Sequence, residues 1–156
     1  MPKSKGQKGN DKTSTGYEKI LLGYDGSTNA KRALKRAAAI AAATGAQLRI
    51  VTVVNPVIPA YGPISVFPND YVEQIEKDAH RSLAQAVKIA RRVTTSVIGS
   101  VEEGHASDVI LRLAESGAAD LIILGRRGVS AIERLVMGGV SSSVVSHSKC
   151  DVLIVK

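Results

Sequence analysis

Between residues 125 and 143 the chain reads GRRGVSAIERLVMGGVSSS, with glycines at 125, 128 and 138 set between an apolar run and a hydroxyl-rich segment. Glycine lets the main chain turn through positive φ and lets a ligand meet the backbone with no Cβ in the way. The first N–H groups of a helix lack internal acceptors and carry partial positive charge. An anion, and phosphate above all, is the chemistry such a stretch suits. It is not a P-loop, because no Gly-Lys-Ser/Thr follows the glycines. Arg126 and Arg127 suit a phosphate cradle as well as they suit a solvated loop. Asp25, in Asp25-Gly26-Ser27, reads either as the cap of a turn or as a ligand contact at a strand end, the second being favoured. His80, His105 and His147 share no metal-ligand spacing and receive no catalytic role. His147 is explained by a helix C-terminus, and the single cysteine, Cys150, by packing.

The elements that must position these residues alternate between strand and helix. An apolar strand is expected over 19–24, then a helix over 28–44 capped by Ser27 and ended by Gly45, with Ala30, Ala33, Leu34, Ala37 and Ala41 on its buried stripe. A β-branched strand over 47–54 follows. Residues 55–69 hold Pro56, Pro59, Pro63 and Pro68 and read as a long loop placed to lid a site. Beyond it a helix over 70–92 is marked by Val72, Ile75, Ala79, Leu83, Ala86, Val87 and Ala90. A strand over 94–101, a helix over 107–116, a strand over 119–124, a helix over 140–148 and a strand over 151–155 complete the chain. Such alternation implies a doubly wound α/β fold with a five-stranded parallel sheet. In the order 3-2-1-4-5, strands one and four flank the crevice where ligands bind. Asp25 and the glycine loop then face one crevice.

The chain has 156 residues, 44% of them hydrophobic, which suits one soluble domain. Its apolar runs fall short of a membrane span, and the amino terminus has no apolar core of a secretory signal, so a cytoplasmic location is expected. Residues 1–16 contain Lys3, Lys5, Lys8 and Lys12 against Asp11 and almost nothing apolar. They are expected to form a disordered basic tail ahead of a domain over 17–156. This tail carries +3 of the net charge of +7. With aromatics at 3% and no tryptophan there is little for bases to stack on, so nucleic acid is disfavoured as a partner.

ILLGYDGS at 20–27, LRIVTVV at 48–54, EEGHASDVILRLAESGAADLIILGRRG at 102–128 and VMGGVSSSVV at 136–145 each resemble the matching segment of the universal stress protein family. The glycine spacing resembles that family's ATP-binding signature. The resemblance implies a Rossmann-like fold of the adenine nucleotide alpha hydrolase-like kind and an adenine nucleotide as ligand, ATP first, with ADP or AMP as alternatives. It implies that Gly23 and Asp25 meet the adenosine end and that the backbone at Val53 brackets adenine. Leu124, Gly125, Arg127 and Gly128 would approach ribose and phosphates. Gly138, Gly139, Val140 and Ser141 would hold the phosphates, the last through its hydroxyl as well. Where the family pattern has Ser or Thr after the third glycine, this chain has Gly139, which removes a hydroxyl and leaves Ser142 to compensate. The implied role is a stress-response switch or scaffold that works as a homodimer through the C-terminal strand. Turnover is expected to be slow at most, since no set for activating water is present. Magnesium bridging the phosphates is an open addition, with Asp25 or Ser141 as its contacts. Two alternatives stay open: a nucleotide-free interaction dimer of the same family, and a slow ATP-hydrolysing or adenylate-transferring enzyme of the same architecture.

Overall fold

A computed structural model describes residues 16–55, 69–127 and 137–156. Most of the expected tail, the proline-rich loop and the loop containing Gly128 lie outside them. Nine elements alternate: β1 (Lys19–Gly23), α1 (Thr28–Thr44), β2 (Gln47–Val54), α2 (Asn69–Ala90), β3 (Val97–Glu103), α3 (Ala106–Ser116), β4 (Leu121–Gly125), α4 (Gly139–His147) and β5 (Asp151–Val155). The strands form one sheet in the order β3-β2-β1-β4-β5, and every neighbouring pair is parallel.

Parallel strands covered on both faces need apolar side chains at every position, and Ile20, Leu21 and Leu22 of β1 are each at most 2% exposed. Alternation sends them to opposite sides. Ile20 and Leu22 join Leu34, Ala37, Ala41, Ala86 and Ala90 beneath α1 and α2, whereas Leu21 joins Ile110, Leu113, Ile122 and Val144 beneath α3 and α4. Helix α1 follows its signals closely: the Ala30 amide donates to Ser27 Oγ at 3.1 Å, and Gly45 ends the helix at φ 73°.

Two strands are displaced from their expected ranges. β3 starts at Val97 rather than 94, because the chain leaves α2 through a further turn in which the Thr94 amide donates to Ala90 O. It then runs on to Glu103 because β2 pairs with it as far as Val54↔Glu103. β4 starts at Leu121 rather than 119, since α3 ends in a turn through Ala118, at φ 51°, and the Ala119 amide donates to Ala114 O.

Candidate functional site

Past β2 and β3 the chain returns to the far side of β1 to form β4, so β1 and β4 are the neighbours from which the connections depart in opposite directions. A crevice opens at the carboxyl ends of such strands. Here it is a cavity of about 430 Å³, within the range of about 300–1,000 Å³ usual for small-molecule sites.

On the β1 side, Gly23, Tyr24 and Asp25 line it. A side chain at Gly23 would require Leu124 to shift, since a Cβ there would lie 2.5 Å from Leu124 Cδ2. Asp25 is exposed and its Oδ1 accepts from the Ser27 amide at 3.0 Å. The turn-capping and cavity-facing readings of Asp25 therefore coexist. Burial raises the Tyr24 phenol above its usual range, a hydrogen bond with Ser82 lowers it in part, and the nearby Asp25 charge raises it again. That keeps the phenol neutral and uncharged beside the cavity.

On the β4 side, Leu124, Gly125 and Arg127 line the cavity. Gly125 has no positive φ, contrary to the turn role expected from glycine. Its reason is proximity: a Cβ would lie 2.8 Å from the Asn29 carbonyl carbon at the start of α1. The chain re-enters at Gly138, whose amide donates to Arg126 O at 3.0 Å. Gly138 has φ −64°, so it too is no turn glycine; it is the N-cap of α4 and offers no side-chain cap.

The first intrahelical bond of α4 runs from the Ser142 amide to Gly138 O at 2.9 Å. The amides of Gly139, Val140 and Ser141 precede it, and a helix gives such groups no acceptor of its own. All three residues line the cavity. Ser142, expected to compensate, has its amide bonded within the helix and is not among the cavity residues. The Ser141 hydroxyl is also engaged, donating to Gly125 O at 2.9 Å on a residue that is 4% exposed. A hydroxyl has one proton to give, so what Ser141 offers an anion is its backbone N–H.

The remaining wall comes from β2 and α3. Val53 lies there as expected, together with Val51, His105, Ala106 and Ile110. Val51 and Ile110 are core residues by pattern. His105 carried no signal beyond its place after Gly104, where φ is +133°. Thus all the expected residues except Ser142 and Gly128 meet at one cavity, Gly128 lying outside the described residues. Elsewhere, His147 Nδ1 lies 2.8 Å from Ser143 O at the end of α4, and Cys150 is half-buried against the α3/α4 core. Among the described residues no three His, Cys, Asp or Glu side chains converge on a metal position.

The model of the Universal stress protein family matches residues 16–156. A Staphylococcus aureus (strain USA300) relative named for the same family is 33% identical over 142 residues, covering 90% of this chain and 84% of its own length. The chain belongs to the universal stress protein family. Among solved structures, the universal stress protein UspA from Lactobacillus plantarum superposes with a TM-score of 0.80 at 25% identity, covering 90% of this chain and 99% of its own. A universal stress protein solved in complex with cAMP is 33% identical, with a TM-score of 0.63 over 90% of this chain and 97% of its own.

Proposed function

We propose that this universal stress protein binds an adenine nucleotide, ATP first, in the crevice between β1 and β4, and acts as a nucleotide-dependent switch or scaffold in the stress response. The observation that carries the reading is the start of α4, where amides without a side-chain cap face a cavity of nucleotide size. Anions favour such a helix start through both hydrogen bonds and the helix dipole. Binding of cAMP by a relative that is 33% identical supports an adenine nucleotide as the ligand.

In this reading the amides of Gly139, Val140 and Ser141 take the phosphates, and Arg127, with Gly128 beyond it, flanks them. Leu124 and Gly125 approach the ribose, Gly23 and Asp25 meet the adenosine end, and Val53 borders the base. Asp25 is the one carboxylate among the described cavity residues, so magnesium would arrive with the phosphates and find a single protein oxygen donor group there. Slow turnover follows from the same lining, which pairs no general base with a positioned acid.

The C-terminal strand β5 ends the sheet at an edge, and Val152, Leu153, Ile154 and Val155 on it are half-buried. An exposed edge of this kind invites pairing, and pairing with a second copy is self-complementary. A homodimer through β5 is part of the proposal, as is a cytoplasmic location. Among the described residues no helix is long and apolar enough to cross a membrane. Mass analysis of small molecules released on denaturing the purified protein tests the ligand. Stoichiometric adenine nucleotide is the expected result, and protein that neither carries nor takes up any would overturn the reading.

A further inference from the structure

The cavity has unlike ends. Its anion-binding end is the start of α4, beyond β4; its other end lies over β2 and the β3–α3 junction, where Val51, Val53, Ala106 and Ile110 give an apolar wall. A ligand with its charge on α4 lays its ring against that wall. There one polar side chain stands among them, His105.

The backbone holds this histidine on both sides. The Gly104 amide donates to Val54 O at 3.0 Å, and His105 O accepts from the Val109 amide at 3.0 Å as the first bond of α3. Its ring is held as well: Nδ1 lies 3.0 Å from Ser107 Oγ, and that hydroxyl donates to Asp108 Oδ1 at 3.3 Å. A carboxylate only accepts, so with the single hydroxyl proton directed to Asp108, Ser107 Oγ accepts from Nδ1–H. Ser107 is 3% exposed, while His105 and Asp108 on either side of it are exposed. In a neutral imidazole, a proton on Nδ1 leaves Nε2 a bare acceptor.

We infer that His105 is a specificity residue that accepts a hydrogen bond from the amino group of a 6-aminopurine, with Ser107 and Asp108 positioning it by fixing the tautomer. The inference rests on the nucleotide reading above. A 6-ketopurine presents an acceptor at the same place, so two lone pairs would face each other. A site built to pair one group leaves its own polar atom unpaired with the wrong one.

Calorimetric titration of AMP, IMP and ribose 5-phosphate into the full chain tests this. Wild type is expected to prefer AMP over IMP by about tenfold, the scale of one discriminating hydrogen bond. In His105→Ala the two should bind within about threefold of each other, while ribose 5-phosphate, which lacks a base, binds as before. Ser107→Ala frees the ring to carry its proton on Nε2, so IMP affinity should rise; loss of a merely structural contact would not raise it. Wild type that binds neither AMP nor IMP overturns the nucleotide reading and this inference with it. Wild type that binds both equally, or His105→Ala that keeps the preference, overturns the role of His105 alone.

Discussion

Among the described residues, the sheet is closed by side chains at the amino ends of its strands, whereas at the carboxyl ends of β1 and β4 a cavity opens. On the closed end, one Asp120 oxygen accepts from the Glu18 amide at 2.8 Å and the Lys19 amide at 3.2 Å, and Lys19 Nζ donates to Gly117 O at 3.1 Å. Tyr17 OH donates to Asp151 Oδ2 at 3.1 Å, tying the entry of β1 to that of β5. At the open end the corresponding places hold Gly23 and Gly125, and α4 begins on a residue with no side chain to cap it. Unmet backbone donors are destabilising in isolation. The contrast separates positions that hold the sheet together from positions that the proposed nucleotide would occupy, and in that reading each substitution acts on stability or on binding.

The largest effect is expected at Gly125, where the two roles meet. Valine there would drive its side chain into the backbone at Asn29, so Gly125→Val should destabilise by about 3 kcal/mol and lose binding with the fold, read by thermal melting and calorimetry. Gly138→Val should separate the two. The extended backbone at position 138 (φ −64°, ψ 155°) accepts valine, so stability should change by under about 1 kcal/mol. ATP affinity should fall at least about a hundredfold, because a branched side chain stands where phosphate meets main chain. Asp120→Ala is the converse: a loss of about 2 kcal/mol in stability with ATP affinity unchanged. A variant at Asp120 that weakened binding as much as Gly138→Val would erase the distinction between the ends.

A smaller gain is expected from Gly139→Ser. Position 139 is the first residue of α4, its φ is not positive, and among the described residues nothing lies within 4 Å of an added Cβ. A hydroxyl fits there without strain and should tighten ATP binding several-fold, about 1 kcal/mol. Equal or weaker binding in a folded variant would show that the amides alone satisfy the phosphates. The smallest effect is at Tyr17, whose phenol is raised above 10.0 chiefly by its bond to Asp151, then by burial. A raised folded value means the contribution is full below the ordinary phenol range and lost as pH climbs through the folded value. Wild type should therefore melt above Tyr17→Phe at pH 7, and the two curves should converge in strongly alkaline buffer.

How much of this was legible in the residues depended on how local the cause was. α1, β2 and β5 fall on their expected bounds because a cap, a terminal glycine or a β-branched run sits within the segment itself. β3 was misplaced because its length is decided by pairing with β2. Glu102 looks like loop sequence, yet it lies in the strand with Arg49 at 3.4 Å and Arg112 at 3.7 Å around its carboxylate. The residues of the glycine signature line one cavity, but not as turn glycines, since neither Gly125 nor Gly138 has positive φ. Ser141 looked like a phosphate hydroxyl because spacing cannot show that its proton goes to Gly125 O. His105 had no pattern to announce it. It joins the cavity wall only when β2 and the start of α3 are brought together.

The most direct measurement is a calorimetric titration of ATP into the full-length chain, run in parallel on Gly138→Val. One saturable site per chain in the micromolar range, with its heat abolished in the variant while the melting temperature holds, is the expected result. A wild-type chain that gives no saturable heat, or a folded Gly138→Val that binds ATP as tightly as wild type, would contradict a nucleotide held on the open end of the sheet.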